Sequence, residues 1–207
     1  MDRMEYHFAE LGIRYRETEG VYPVREDTLL LLETVFRSLR RPSGRVMEMG
    51  CGTGLLSLAL SRKGWKATAV DREPRALLNL RHNLTRNDLS ADLYLSDLFE
   101  GIPRRLQNTY DLICFNPPYL KSAGGGNGRR EELALSGGNS GCDTALRFIS
   151  DGYYFLAPGG KMILLASSTW PDKWDIHCPS IFGSRRVLER SEIEGERFEV
   201  IEYTGIS

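Results

Sequence analysis

Asn116-Pro117-Pro118-Tyr119 stands where an apolar run over 110–115 gives way to turn-forming residues. The Asn116 side-chain oxygen and the Pro117 carbonyl can together accept both N–H bonds of a planar amide or aryl amine, and the proline pair stiffens the backbone that aims them. The ring of Tyr119, next to Pro118, suits stacking on such a planar group, an offset contact worth roughly 1 kcal/mol. A nitrogen of this kind is a poor nucleophile because its lone pair is delocalised. Its alkylation is therefore limited by exposed, in-line presentation more than by a strong base. The plainer reading is a proline turn with Asn116 as turn former; it loses ground once the residues upstream are counted.

Those residues begin with Glu48-Met49-Gly50-Cys51-Gly52-Thr53-Gly54. Glycines at a strand-to-helix junction permit a tight turn and close approach of the backbone to a ligand. A dinucleotide site uses G-x-G-x-x-G to bring a helix N-terminus onto pyrophosphate, whereas here the spacing is G-x-G-x-G and a carboxylate, Glu48, lies just upstream. That charge repels phosphate and suits a cationic ligand. S-adenosylmethionine, with an ammonium and a sulfonium, is such a ligand. Asp71, about 20 residues on, ends the next strand where a carboxylate can accept hydrogen bonds from both ribose hydroxyls. Asp97 ends the strand after it, on the adenine side. Helix capping explains Glu48 or Asp71 taken singly, and surface exposure explains Asp97, but neither explains three acids on one rim.

The elements that must hold these residues can be read from periodicity. Leu29, Leu32, Phe36 and Leu39 form one stripe of a helix over 26–39, with Glu26 and Asp27 in its first turn. A buried strand over 45–49 runs into the glycine loop, and a helix over 55–62 follows. The scheme repeats with a strand over 66–70 and a helix opened by Pro74 carrying Leu77, Leu80 and Leu84. Further strands are expected over 91–95, 110–115 and 161–166, the last preceded by a helix with Leu146, Ile149, Tyr153 and Leu156 in register. The tail reads as a hairpin, 185–190 and 198–203 about Glu194-Gly195. Right-handed β-α-β units in series predict an α/β, doubly wound, mostly parallel seven-stranded sheet with an antiparallel C-terminal strand and its ligand at the carboxyl ends of the strands. Residues 1–40 read as a polar N-terminal segment and one helix, and 121–141, with seven glycines, as a lid loop over the site.

The chain has 207 residues, 41% hydrophobic and 27% charged, which fits one globular domain over 1–207. A net charge of −1 argues against a polynucleotide binder and makes a nucleic-acid partner unexpected. Cys51, Cys114, Cys142 and Cys178 show no C-x-x-C spacing, so reduced thiols and a cytoplasmic protein are expected. No signal peptide and no membrane-spanning run is apparent. His177 beside Cys178 lacks a second ligand pair, and no metal is expected. Arg104-Arg105 and Arg185-Arg186 read as solvated faces. Trp170 and Trp174, four apart, are expected to pack beneath a short helix, with the mouth of the substrate site as the other place for them.

Taken together, the glycine segment, Asp71, Ser96-Asp97-Leu98-Phe99 and Asn116-Pro117-Pro118-Tyr119 resemble the HemK/PrmC family of class I methyltransferases over most of the chain. The segment from Val21 to Thr28 is similar to the Tyr-x-Pro-x-Glu-Asp-Thr run of its short archaeal and eukaryotic branch, with Pro23 one position early. The resemblance implies S-adenosyl-L-methionine as cofactor, contacted by Thr28, Glu48, Gly50, Gly52, Asp71, Asp97, Leu98 and Asn116. It implies that Asn116, Pro117, Pro118 and Tyr119 hold the target, with catalysis resting on Asn116, Pro117 and Tyr119. It also implies the reaction: N5-methylation of the glutamine amide in a Gly-Gly-Gln motif of a class I translation termination factor. The short branch works with a small zinc-binding activator subunit that covers a sheet edge, here the strand over 91–95. The same Asn-Pro-Pro-Tyr geometry serves the N6 of adenine in DNA or RNA, and a deprotonated lysine amine also fits such a pocket. A cofactor-binding scaffold and a nicotinamide oxidoreductase are less consistent: the motif is intact, no Tyr-x-x-x-Lys is present, and Glu48 opposes a pyrophosphate.

Overall fold

A computed structural model describes residues 5–119, 138, 140–175 and 182–205. The chain opens with a two-stranded antiparallel hairpin, β1 (Glu5–Phe8) and β2 (Ile13–Arg16), in the stretch that the sequence suggested was merely polar. Then come α1 (Glu26–Ser38), β3 (Arg45–Met49), α2 (Leu55–Arg62), β4 (Lys66–Asp71), α3 (Pro74–Arg86), β5 (Ala91–Leu95), β6 (Tyr110–Phe115), α4 (Asp143–Gly152), β7 (Leu156–Ser167), β8 (Ser184–Ile193) and β9 (Glu196–Thr204).

Seven strands form one sheet in the order β5-β4-β3-β6-β7-β9-β8. The pairs from β5 to β7 are parallel, and β9 runs antiparallel to both its neighbours. The chain turns back at Glu194-Gly195, both at positive φ, as a two-residue turn with right-handed strand twist requires. β7 begins five residues earlier than its apolar run suggests, because Pro158-Gly159-Gly160 is absorbed as an irregularity in its register with β6.

Alternation along the strands separates two cores. Val46, Leu112, Cys114, Ile163, Leu165 and Val200 face α1, α2 and α3. Met47, Met49, Ile113, Phe115, Leu164 and Ile201 face the other way, against Phe148 and Ile149 of α4. Burial on both faces explains the nearly continuous apolar runs of the central strands.

The N-terminal hairpin is tied to α3 by asparagines at i, i+4 and i+8. Asn83 Oδ1 accepts the Arg16 N–H at 2.9 Å while its Nδ2 donates to the Arg16 carbonyl at 2.9 Å. Asn87 does the same for Arg14, at 2.9 and 2.6 Å. Asn79 Oδ1 accepts from the Thr18 hydroxyl at 2.6 Å. Two helix side chains thus satisfy the backbone of β2 much as a neighbouring strand would, and they fix where the chain passes on to residues 20–28.

Candidate active site

Parallel register sets the rim. Met49 pairs with Val70 on one side and Phe115 on the other, so the next residues, Gly50, Asp71 and Asn116, fall side by side at the carboxyl ends of β3, β4 and β6. This is where strand order reverses and crossovers diverge, leaving a crevice. A cavity opens here, roofed by residues 20–28. All of the residues expected at the site line it: Thr28, Glu48, Gly50, Gly52, Asp71, Asp97, Leu98 and the run from Asn116 to Tyr119.

Glycine is required at Gly54, where φ is +77° and a Cβ would lie 2.3 Å from Leu80 Cδ1. Its left-handed backbone starts α2 directly beneath the loop. Asp71 holds the loop from the other side, its Oδ2 accepting the Gly52 N–H at 3.0 Å and its Oδ1 the Glu73 N–H at 2.9 Å. Burial raises its pKa. Glu48 faces α2 and accepts the Ser57 N–H at 2.8 Å and the Ser57 hydroxyl. Burial lifts its pKa to about 7, against the partial relief that Ser57 gives. Asp97 is different: about half exposed, it meets Arg147 of α4 at 3.5 Å. Leu98, buried and at φ 47°, turns the backbone along the cavity wall.

Asn116 is oriented by a residue that sequence reasoning left out of the site. Its Nδ2 donates to Asp27 Oδ2 at 3.1 Å. A carboxylate oxygen only accepts, so the amide is fixed with Nδ2 toward Asp27, and Oδ1 is left buried without a partner among the described residues. Asp27, itself buried, also accepts from the Tyr22 hydroxyl at 2.9 Å and the Thr28 N–H at 2.6 Å. The Tyr22 pKa is raised, first by burial and then by Tyr119 and Asp27 beside it. Tyr22 and Asp27 both line the cavity. The sequence signal that pointed to both was the segment from Val21 to Thr28.

The rings of Tyr119 and Phe198 meet T-shaped, centroids 5.3 Å apart. The arginines read as solvated, Arg104, Arg105, Arg185 and Arg186, are all exposed; Arg185 also meets Asp175 at 2.6 Å and Arg186 the buried Glu202 at 2.8 Å. Trp170 and Trp174 pack T-shaped at 4.6 Å on a turn, not beneath a helix. Most of the glycine-rich loop over 121–141, and His177 and Cys178, lie outside the described residues. Among the described residues, no group of acids, histidines and cysteines is placed to hold a metal, and no helix is long and apolar enough to cross a membrane.

The methyltransferase small domain matches residues 16–132. The chain belongs to that family. It is 33% identical to a protein of Methanocaldococcus jannaschii that carries the provisional name protein N5-glutamine methyltransferase, over 80% of this chain and 82% of that one. It is 32% identical to the release factor glutamine methyltransferase of Deinococcus radiodurans, over 74% of this chain and 56% of that one. It is 31% identical to the ribosomal RNA small subunit methyltransferase C of Alcanivorax borkumensis, over 70% of this chain and 39% of that one. Among solved structures, the T. thermophilus 16S rRNA N2 G1207 methyltransferase, in complex with AdoMet and guanosine, superposes with a TM-score of 0.75 at 24% identity, over 99% of this chain and 50% of that one. The E. cuniculi Mtq2–Trm112 complex gives 0.68 at 23%, over 91% and 99%.

The fold is therefore that of class I methyltransferases, and the protein is an S-adenosylmethionine-dependent methyltransferase. The residues present fit that cofactor. The glycine loop leaves backbone open to a ligand, and Glu48 and Asp71 are acids that burial disfavours until a cation or hydroxyl donors approach them. Asn116 lines the same cavity, and its Oδ1 has no partner among the described residues.

Proposed function

We propose that this chain methylates the side-chain amide nitrogen of a glutamine, in the Gly-Gly-Gln motif of a class I translation termination factor. The observation that carries this reading is the buried Oδ1 of Asn116, which has no partner among the described residues while Asp27 takes Nδ2, on a residue that lines the cavity beside Pro117, whose carbonyl is the second acceptor proposed. An NH2 group needs two acceptors, and these two are offered on rigid backbone. Bound S-adenosylmethionine supplies an electrophilic methyl group on a sulfonium.

The chain's own residues do the rest. Thr28, Gly50, Gly52 and Leu98 shape the cofactor cavity, Asp71 accepts from ribose hydroxyls, Asp97 borders the base, and Glu48 supplies the charge that favours a cation. Asn116 and Pro117 draw the amide N–H bonds to one side, which exposes the lone pair and stabilises the positive charge that develops on nitrogen. Tyr119 borders the planar group, and the proton leaves to water afterwards. The glutamine methyltransferase names among the relatives support the amide as target.

A partner at the sheet edge belongs to the same reading. β5 ends the sheet and leaves Leu95 57% exposed, with Leu78 of α3 50% exposed, an edge suited to strand addition by a small activator subunit. Mtq2 was solved in complex with Trm112, and the small zinc-binding activator that the family resemblance implies is the subunit proposed for this edge.

The second reading, base methylation in ribosomal RNA, draws on the rRNA methyltransferases among the relatives and neighbours. The deciding experiment is transfer of labelled methyl to a termination factor and, separately, to ribosomal RNA, with wild type and Asn116→Ala. Label on the factor glutamine, lost in the variant, supports the proposal; label only in RNA refutes it.

A further inference from the structure

A second groove lies on the same rim, over the carboxyl ends of β7 and β8 and the start of β9. It shares a wall with the cofactor cavity. Tyr119 lines the cavity, whereas Phe198, which its ring meets T-shaped, lines the groove. Trp170, also in the groove, donates its indole N–H to the Tyr119 carbonyl at 3.3 Å. The two cavities are therefore neighbours, divided by Tyr119 on one side and by Phe198 and Trp170 on the other.

The groove carries an aromatic pair and a tight turn. Trp170 is buried, and its T-shaped partner Trp174, packed in part against the core, also lines the groove. The turn bearing Trp174 is held by a bond from its N–H to the Pro171 carbonyl at 3.1 Å, and Lys173 within it adopts φ 54°. Among the described non-glycine residues with positive φ, Asp88 and Asn108 are types that tolerate it and Glu194 sits in the hairpin turn. The other two are Leu98 in the cofactor cavity and Lys173 at the groove. Backbone strain in residues that do not favour it collects where ligands are held.

Charge selects the occupant. The four acids and four bases lining the groove cancel. Arg185 is paired with Asp175 at 2.6 Å and Arg190 with Glu199 at 2.8 Å, which leaves Asp172 and Glu192 against Lys173 and Arg197. A polynucleotide track needs a surplus of positive charge along the phosphates. A balanced wall with an aromatic platform suits an extended polypeptide of mixed charge.

We infer that this groove is the substrate-recognition site, taking the polypeptide that flanks the methylated residue, with an apolar side chain against Trp174 and an acidic group near Lys173 and Arg197. The inference rests on the amide-methylation reading and adds the class and position of the recognised segment.

The test is labelled-methyl transfer to a full-length class I termination factor, using the purified enzyme with any co-purifying subunit retained. Trp174→Ala, Trp174→Phe and the surface change Lys173→Glu are compared, and S-adenosylhomocysteine affinity is measured by calorimetry for each. The KM for the factor should rise about tenfold or more in Trp174→Ala and severalfold in Lys173→Glu, and fall back toward wild type in Trp174→Phe. S-adenosylhomocysteine affinity should stay within about twofold, since the cofactor cavity keeps its own lining. A factor methylated with unchanged KM by both Trp174→Ala and Lys173→Glu overturns the groove while leaving the proposed function standing. Label found in ribosomal RNA instead, with KM rising steeply between about 50 and 200 mM salt, overturns the polypeptide reading itself.

Discussion

Asp27→Asn changes almost no volume, yet it should disable the site. Asp27 Oδ1 accepts the Thr28 N–H at 2.6 Å, and Oδ2 accepts from both Tyr22 at 2.9 Å and Asn116 at 3.1 Å. An asparagine there keeps its oxygen on the backbone N–H and turns its NH2 toward Tyr22 and Asn116. Tyr22 can rotate its hydroxyl to accept; the Asn116 NH2 has no lone pair to offer. Asn116 relieves the clash by flipping its amide, which sends Oδ1 toward residue 27 and Nδ2 toward the target nitrogen. An acceptor aimed at developing positive charge becomes a donor. Losing one such preorganised group costs about 10²–10³-fold in kcat, or roughly 3–4 kcal/mol of transition-state stabilisation. The flip conserves the hydrogen-bond count, so thermal stability should change little. The assay is steady-state methyl transfer to a termination factor, with kcat and KM separated and S-adenosylhomocysteine affinity as control. A folded Asp27→Asn protein with kcat within about threefold of wild type would mean that Asn116 is not held by Asp27 for catalysis.

Other outcomes follow from the same geometry. Glu48, lifted by burial from 4.5 to about 7, holds a proton in the folded protein that the unfolded chain has lost. Its contribution to stability is therefore present below pH 4.5 and fades as pH rises toward 7; denaturant unfolding of the cofactor-free protein should show wild type losing ground to Glu48→Gln across that window. A cationic ligand reverses the preference, so S-adenosylmethionine affinity should weaken as pH drops below about 7, by up to about tenfold per unit, and not in Glu48→Gln. Gly54→Ala puts a Cβ 2.3 Å from Leu80 Cδ1 at φ +77°; left-handed strain and overpacking together should cost about 2–5 kcal/mol, read from chemical denaturation, and Leu80→Ala in the same chain should recover part of it. Asn83→Ala with Asn87→Ala strips four hydrogen bonds from β2; hydrogen exchange at Arg14 and Arg16 should accelerate, and S-adenosylhomocysteine should bind more weakly because the roof over 20–28 loses its anchor.

The sequence by itself determined the alternation of elements and the placement of the glycine loop, Asp71 and Asn116 at strand ends. These are local matters: apolar period, helix-opening prolines and glycine punctuation are written within a few residues of where they act. Helix 55–62 and strands 45–49, 91–95 and 110–115 coincide with α2, β3, β5 and β6 for that reason. The two strands at the N-terminus were hidden because their burial is supplied from far away: asparagines about 70 residues downstream complete β2. Asp27 looked like a helix-dipole acid because its partner Asn116 is 89 residues distant, and no spacing rule spans that. The tryptophan pair joins the substrate side only through Tyr119 and Phe198, contacts that exist once β7 and β9 pair and bring Ser167 opposite Phe198. Residue types fixed what chemistry was available at the rim, whereas parallel register decided which groups meet there, since each residue of slip in a strand would swap the face its side chains take.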